Sequence, residues 1–357
     1  MKKLKLVKIV FSVFGFLAFV FGAVFYWRSF LRVTQGGQEV LAPAEISAGV
    51  ERQDKGVSGR KEEREEDFLK REGKDEIKLL FVGDMMFDRW IREVIEKKGL
   101  GFVFSGAGDR LREVDLVVGN LEGPITDKSS VSAGTVFGDK RHMVFTFSSK
   151  VARGLRENNI RLVNLGNNHI LNFGMDGLEE TRRYLDAVGV RYFGNIGEAS
   201  EDAAGGDWRR VIEEVDGVKI GFCNYNGFAA HAREKVLEDI EFLNERADLV
   251  VVYAHWDREY KKSPSGETRI LAREFISRGA DLVIGSHPHV IGEKENYQGK
   301  MIYYSLGNFI FDQYFSPETR RGLVVEVTIG REDQSMEFEE QEIFLEKDGR
   351  TVLKEKK

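Results

Sequence analysis

The chain has 357 residues and a mass of 40.6 kDa, which is enough for one large domain or two ordinary ones. Charged residues make up 31% of it, yet the formal net charge is only -6, so the composition does not favour a nucleic-acid partner. A single cysteine excludes an intramolecular disulfide framework and a thiolate-rich zinc site. Any metal chemistry therefore depends on oxygen and imidazole ligands.

The N-terminus has a basic segment, residues 1–8, followed by an uncharged run from Ile9 to Trp27. At about 1.5 Å per residue, the run is long enough to cross a bilayer as a helix. We interpret it as an uncleaved transmembrane signal anchor. The alternative is a signal peptide cleaved near Ala42–Ala44, but the apolar region of such peptides spans only about 7–15 residues. Because lysines precede the run, we predict a single-pass cell-membrane protein with a cytoplasmic N-terminus and an extracytoplasmic main domain.

Composition then divides the rest of the chain. Residues 28–76 are polar and highly charged, which predicts a solvated tether. Residues 77–348 alternate β-rich apolar runs with helical segments, the pattern of an α/β domain, and residues 349–357 form a polar tail. No repeat or proline-rich linker splits the range 77–348, so we predict one domain, a two-sheet sandwich with helices outside.

Short apolar runs in this domain predict strands, and the segments between them predict helices. Helices at 176–189 and 266–279 each close on glycine, and after Gly322 only strand patterns remain. The runs that predict strands are KLLFV (78–82), DLVVG (115–119), RLVNL (161–165), VKIGFCNY (218–225), DLVVVYA (248–254), DLVIG (281–285) and MIYYS (301–305).

Polar side chains follow five of these strands where each strand ends. Ligands of α/β sheets bind outside the carboxyl ends of the strands, so we expect these loops to meet on one rim. Together they offer enough oxygen and nitrogen atoms for two divalent ions with a bridging carboxylate. The candidate metal ligands are Asp84, Glu122, Asn168, His255, His287 and His289.

Each candidate alone has a plainer interpretation. His255 beside Trp256 fits a partly buried structural histidine. Asp84 fits a turn or cap before the next helix, and Asn168 fits a left-handed turn. The two histidines that flank Pro288 are the strongest pair because proline stiffens their loop, although two exposed loop histidines remain the alternative. The coincidence at five strand ends favours the metal interpretation.

Ordered motifs between Lys78 and Gln313 resemble the capsule-synthesis CapA family of poly-γ-glutamate biosynthesis, a relative of the calcineurin-type metallophosphoesterases. The motifs are FVGDMMFDR, NLEGPIT, NLGNNHILNFGMDGLEET, YAHWDREY, GSHPHV and YYSLGNFIFDQ. The resemblance implies a four-layer α/β/β/α sandwich of calcineurin-like metallophosphatase type, preceded by one transmembrane helix. It also implies a role in capsule or poly-γ-glutamate synthesis or export, with membrane-embedded polymer synthase subunits as partners.

The same resemblance implies two divalent metal ions (Mn, Fe or Zn) as cofactors. His169 matches the histidine that assists the leaving group. The sequence departs from the usual pattern at Met86, where phosphoesterases have histidine, at Asn172, where the family usually has Asp, and at Asp257, where Gly usually follows His-Trp. The implied ligand positions are Asp84 in the first site, Glu122 as bridge, Asn168 and His255 in the second site, and one ligand each from His287 and His289.

Arg89 lies within about a helical turn of Asp84 and is predicted to bind an anionic substrate group such as a phosphate or a γ-glutamyl carboxylate. Its alternative is a surface arginine paired with Glu93 at i+4. Glu259 and Tyr260 fit either outer partners that orient an imidazole or ordinary loop packing. Further polar residues that could line the same cleft are Ser305, Asn308, Asp312 and Gln313.

Two classes of function stay open. The first is a metal-dependent, metallophosphoesterase-like hydrolase or transferase that acts on an anionic polymer or a phosphoester. The second is a non-catalytic binding subunit of a membrane polymer synthesis and export complex, which keeps the same fold as a platform.

Overall fold

The computed structural model describes residues 75–197 and 208–354, which belong to one compact unit. The helices are α1 (Arg89–Lys98), α2 (Leu100–Phe104), α3 (Gly108–Arg112), α4 (Lys150–Glu157), α5 (Gly174–Val188), α6 (Ala232–Asn244) and α7 (Gly266–Ser277), with a 3-10 turn at Lys140–Met143. The strands are β1 (Glu76–Met85), β2 (Leu116–Leu121), β3 (Ile160–Asn164), β4 (Arg191–Phe193), β5 (Arg210–Val215), β6 (Val218–Asn226), β7 (Leu249–His255), β8 (Leu282–Ser286), β9 (Lys294–Tyr297), β10 (Lys300–Tyr303), β11 (Asn308–Ile310), β12 (Arg321–Gly330), β13 (Met336–Leu345) and β14 (Thr351–Leu353).

The described strands form two mixed sheets. The first has eight strands in the order β14-β13-β12-β1-β2-β3-β4, with β11 paired to β1, and the second has six in the order β5-β6-β7-β8-β10-β9. Strands β1 to β4 run parallel to one another, as do β6, β7, β8 and β10. Parallel strands align their carboxyl ends, so each sheet presents several strand ends at one edge.

Alternating side chains along the strands divide the core into layers. In β7, Val251 and Tyr253 pack between the sheets, whereas Val250 and Val252 pack with residues of α6 and α7. In β1, likewise, Leu79 belongs to the layer between the sheets, and its neighbour Leu80 packs with residues of α1, α4 and α5. A strand that is apolar on both faces is covered on both sides, which explains its continuous apolar run. The layers are therefore helix, sheet, sheet, helix.

Aromatic side chains fill the space between the two sheets. Phe81 of the first sheet lies 6.5 Å from Phe222 of the second, and Phe193 lies 5.9 Å from the same ring. Each fully buried phenylalanine contributes about 1.5–3 kcal/mol through loss of apolar surface to water. The Tyr253 hydroxyl donates a hydrogen bond of 2.5 Å to the Val82 carbonyl, which satisfies the buried hydroxyl and joins the sheets.

The strands and helices predicted from apolar runs are confirmed, from β1 at KLLFV to β10 at MIYYS. Helix α5 ends as predicted, because Gly189 takes the left-handed conformation (φ 68°) that a side chain would disfavour. The predicted α/β class is also confirmed: two mixed sheets flanked by helices fit a metallophosphatase-like α/β fold. Strand β14 lies within the segment predicted as a polar tail, where it pairs with β13.

The predicted membrane location requires correction. Within residues 75–197 and 208–354, no helix is both long and apolar enough to span a bilayer, and this finding contradicts the single-pass localisation. The longest of these helices, α5, has 15 residues, whereas a crossing needs about 20 apolar ones. The predicted basic segment (1–8), the membrane span (9–27) and all of the tether (28–76) except its last two residues lie outside the described part of the chain.

Candidate metal centre

The carboxyl ends of the parallel strands of both sheets meet at one place. Asp84 belongs to the end of β1 and Glu122 follows β2, whereas His255 ends β7. The loop after β8 reaches across to the first sheet: the backbone N–H of His287 donates to Asp84 Oδ2 at 3.1 Å, and His289 Nδ1 lies 3.2 Å from the same oxygen. Loops that are far apart in sequence thus form one buried cluster.

Acidic and imidazole groups in this cluster form three sets whose ligand atoms all lie within 4.8 Å of one another. The sets overlap: Glu122, His287 and His289 each belong to two of them. Carboxylate oxygens and neutral imidazoles at such separations are a donor set that suits divalent transition metals. The sets are Asp84, Glu122 and His289; Glu122, His255 and His287; and Glu259, His287 and His289.

Glu122 is the clearest sign that a cation belongs here. It is fully buried, and neither of its carboxylate oxygens has a hydrogen-bond partner among the described residues. Imidazole nitrogens lie close to it, that of His289 at 3.6 Å and those of His255 and His169 at 4.0 Å. Burial, followed by repulsion from the carboxylate of Asp84, raises the pKa of Glu122 well above its usual value. An unpartnered buried carboxylate costs several kcal/mol, and a bound cation removes that cost.

His255 and His287 are held in the neutral form that binds metals. Burial lowers the pKa of His255 well below 6.5, and it lowers that of His287 to about 3. His289 donates from Nδ1 to the side-chain oxygen of Asn308 at 2.9 Å, because the Asn308 amide nitrogen is itself engaged as a donor to the Thr319 carbonyl. The Nε2 lone pair of His289 is then left for a ligand, an orientation typical of metal-binding histidines.

Two predicted second-site residues contact each other directly. Asn168 Oδ1 lies 2.9 Å from His255 Nε2, so these two potential metal-ligand atoms are adjacent. On the other side of the ring, His255 Nδ1 lies 3.0 Å from Ser286 Oγ and 3.3 Å from the amide nitrogen of Asn120. These contacts fix the plane of the imidazole.

The His-Pro-His loop has a strained backbone. His287 and His289 both have positive φ, 92° and 57°, in a region that side chains other than glycine rarely adopt. Each such residue costs about 1–3 kcal/mol, and strain of this kind collects at functional sites. The strained loop is held from outside, because the backbone N–H of Tyr260 donates to the Pro288 carbonyl at 2.8 Å.

His169, predicted to assist a leaving group, lies at the rim of the cluster against the Phe145 ring, with centroids 4.3 Å apart. Burial lowers its pKa to about 4. Its Nδ1 lies 3.1 Å from Asn172 Oδ1, an oxygen that also accepts from the backbone N–H of Phe145. Nδ1 therefore carries the proton, and Nε2 faces Glu122 as an acceptor. Asn172, a departure from the family pattern, thus orients His169.

Arg89 is buried near the cluster rather than exposed on a helix surface, with 6% of its surface accessible. Its guanidinium pairs with Asp312 through two nitrogens and lies 5.0 Å from the Phe145 ring centroid. The alternative partner, Glu93, instead forms an ion pair with Lys97. The charge of Arg89 is thus already compensated within the protein.

Sequence reasoning assigned no supporting contact to several residues that hold the centre in place. Asn120 donates to Asp84 Oδ1 at 2.8 Å, and Ser286 and Asn308 hold imidazoles as described above. Asn308 and Asp312 were expected to line the cleft, but nothing in the sequence could name their partners, His289 and Arg89. The signal available for Asn120 was its place in the NLEG motif, two residues before Glu122.

Comparisons with known proteins agree with the resemblance seen in the motifs. Residues 78–313, more than half of the chain, match the family described as bacterial capsule synthesis protein PGA_cap. The PGA biosynthesis protein CapA of Bacillus subtilis (strain 168) is 33% identical over 258 residues, covering 67% of this chain and 64% of that protein. The capsule biosynthesis protein CapA of Bacillus anthracis is 28% identical over 265 residues, covering 69% and 62%.

The chain therefore spans less than two thirds of the length of these two relatives. Among solved structures, sulfate thiohydrolase SoxB of Thermus thermophilus in complex with glycerol matches with a TM-score of 0.40 and 13% identity, covering 77% of this chain and 56% of that one. So low a score carries no conclusion about this chain. The family match, by contrast, spans every strand end of the buried cluster, and the chain belongs to the bacterial capsule synthesis protein PGA_cap family.

Proposed function

We propose that this protein is a metal-dependent hydrolase or transferase that acts on an anionic polymer or a phosphoester in capsule or poly-γ-glutamate synthesis. Its fold, on this proposal, is of the calcineurin-like metallophosphatase type. The observation that carries the proposal is Glu122, a fully buried carboxylate with no hydrogen-bond partner among the described residues and with three imidazoles close by. The names of the two Bacillus relatives support the biological process.

The cofactors would be two divalent ions, Mn, Fe or Zn. Such ions, when bound, supply Lewis acidity and lower the pKa of water from 15.7 to about 7 in the best-studied zinc case. Glu122 would be shared between the ions, since it belongs to two of the three ligand sets. The residues that would hold them are Asp84, Glu122, Asn168, His255, His287 and His289.

His169 is the group best suited to move a proton. It is neutral at pH 7, because its pKa is lowered to about 4, and its Nδ1 proton is committed to Asn172. Nε2 is therefore free to accept a proton from an attacking hydroxyl group and to return it to the leaving group. Such proton transfer is worth about 10²–10⁴-fold in rate.

The rim of the centre offers apolar surface for the uncharged part of a substrate. Phe228 is 51% exposed, and its ring centroid lies 4.7 Å from that of His287. Tyr260 and Phe315, 40% and 66% exposed, lie 5.2 Å apart on the other side, next to His289. A polymer that carries carboxylates on a methylene and amide backbone would meet metal charge with one part and aromatic faces with the other.

A non-catalytic role in a polymer synthesis and export complex is the second candidate, and Arg89 favours it. A catalytic arginine that binds a substrate anion keeps its guanidinium available, whereas Arg89 is paired with Asp312. If Arg89 does bind substrate, the anion must compete with that carboxylate.

One experiment separates the two candidates. The full chain is stripped with a chelator, reloaded with Mn²⁺ or Zn²⁺, and assayed for bound metal, for hydrolysis of p-nitrophenyl phosphate and for shortening of poly-γ-glutamate. We expect two equivalents of metal and turnover that depends on it. Metal-loaded protein without turnover on either substrate would support the non-catalytic candidate, and protein that binds no metal would overturn the proposal.

A further inference from the structure

We propose that Glu259 is a metal ligand of this centre and binds a divalent cation together with His287 and His289. This assignment rests on the proposed function, since it requires that the centre holds metal. It adds a third carboxylate to Asp84 and Glu122.

The first observation is geometric. The carboxylate of Glu259 and the ring nitrogens of His287 and His289 lie within 4.8 Å of one another, the same spacing as in the two sets that contain Glu122. His289 also belongs to the set with Asp84 and Glu122. Glu259 therefore lies beside a histidine that also belongs to the Asp84–Glu122 set.

The second observation is an unpartnered buried atom in a residue of the same set. His287 is only 4% exposed, and its Nδ1 has no hydrogen-bond partner among the described residues. Within the same part of the chain, no lysine or arginine forms an ion pair with Glu259. A buried imidazole nitrogen beside a carboxylate that lacks a counter-charge is completed by a cation.

The loop that carries Glu259 is built to hold it there. Asp257 and Tyr260 both have positive φ, 67° and 62°, so the chain bends sharply twice within four residues. Asp257 Oδ2 accepts from the backbone N–H of Ser265 at 2.7 Å, and the Tyr260 N–H donates to the carbonyl of Pro288 at 2.8 Å. As a result, Arg258 points to solvent while Glu259 is half-buried against the His-Pro-His loop.

The ligand count of the first set gives the reason for a further carboxylate. Asp84, Glu122 and His289 supply three groups. Met86, two residues after Asp84, adds no imidazole, since its thioether is buried and accepts the backbone N–H of Asp88 at 3.0 Å. A third carboxylate also lowers the net charge of two bound dications, which reduces the cost of burying them.

The test compares the full-length wild type with Glu259→Gln and with Glu267→Gln. Gln keeps the size of the side chain but removes the charge. Glu267 is an exposed residue at the start of α7 and serves as the matched control. After chelator treatment, each protein is titrated with Mn²⁺ by calorimetry, and bound metal is counted by elemental analysis. Melting of the metal-free proteins verifies that both variants fold as the wild type does.

We expect Glu259→Gln to lose one equivalent of Mn²⁺ or to bind it at least about tenfold more weakly, whereas Glu267→Gln binds as the wild type does. Unchanged stoichiometry and affinity in Glu259→Gln would overturn the assignment of Glu259 alone. A wild type that binds no metal would overturn it together with the proposed function. Normal metal binding without turnover in the wild type, combined with a loss in Glu259→Gln, would overturn the proposed catalysis and uphold the ligand.

Discussion

Two buried glutamates of the first sheet differ in how their charge is met. Glu326, in the middle of β12, is 3% exposed and pairs with Lys78 at 3.0 Å and with Arg110. Glu122, just after β2, is fully buried and has no such partner in the described part of the chain. The same residue type in the same sheet is thus neutralised by basic side chains in one region and left for a cation in the other.

Cavity size does not reveal this difference. Two cavities, of about 630 and 620 Å³, are lined by residues at the amino ends of the parallel strands, at the opposite end from the strand ends that carry the ligands. In the second of them, charges such as Arg191 and Glu213 are paired at 2.9 Å. Unpartnered buried charge, rather than empty volume, therefore identifies the candidate metal centre.

Removal of a ligand should produce the largest effect. We expect His287→Ala to abolish binding of at least one metal ion and to lower any metal-dependent turnover by more than about 100-fold, because outer partners of metal ligands alone account for 10–100-fold. Elemental analysis and the hydrolysis assay measure both losses. Metal content equal to that of the wild type would remove His287 from the ligand set.

Neutralising the two glutamates should change the stability of the metal-free protein in opposite directions. Glu122→Gln removes a charge that has no partner, so the free energy of unfolding should rise by about 1 kcal/mol. Glu326→Gln leaves Lys78 and Arg110 without their carboxylate, so it should fall by about 1–3 kcal/mol, with Lys78 contributing little because it is 44% exposed. Chemical denaturation of chelator-treated proteins measures both. A fall in Glu122→Gln as large as in Glu326→Gln would erase the contrast between the two regions.

The acid stability of the metal-free protein should reflect the buried histidines. The pKa values of His169 and His287 are lowered to about 4 and about 3 in the folded protein. Between pH 6.5 and 4, these two histidines are therefore protonated in the unfolded chain but remain neutral in the folded chain. The free energy of unfolding therefore falls as pH falls through this window, by about 1.4 kcal/mol per pH unit for each histidine. Glu122, whose pKa is raised, acts in the opposite sense: its contribution is lost as pH rises.

Replacement of one histidine isolates that slope. His169→Asn should lower the slope of the free energy of unfolding against pH by the contribution of one proton, about 1.4 kcal/mol per pH unit. His231→Asn, at an exposed position, should leave the slope unchanged. Denaturation curves at pH 4, 5, 6 and 7 give the comparison. Equal slopes for wild type and His169→Asn would show that His169 is not held neutral by burial.

The smallest effect is expected at the aromatic rim. Phe228→Ala should raise the KM for poly-γ-glutamate by about three- to tenfold with little change in kcat, because on the proposed function the ring would contact substrate without taking part in chemistry. Ile270→Ala, at a residue that is 71% exposed on α7, provides the control. A drop in kcat with an unchanged KM would place Phe228 in the support of the imidazoles instead.

Much of the fold was open to prediction because the parallel strands are buried on both faces. After its leading aspartate, the run DLVVVYA is continuously apolar or aromatic, and it became a strand, whereas the short edge strands β4 and β9 carry polar residues and left no comparable pattern. The ends of the buried strands also pointed to the clustered carboxylates and imidazoles. The sequence could not identify side-chain partners, such as Asp312 for Arg89 and Asn308 for His289. Nor could it place Glu259 beside the His-Pro-His loop. These contacts depend on loops whose course only the tertiary structure defines.

Anomalous diffraction from crystals grown with Mn²⁺ tests the central claim most directly, since it locates the ion relative to Glu122. We predict anomalous peaks within about 2.0–2.5 Å of the Glu122 carboxylate and of ring nitrogens of the neighbouring histidines. A map from Mn²⁺-saturated crystals with no peak at Glu122 would contradict the claim that this buried carboxylate exists to hold a cation.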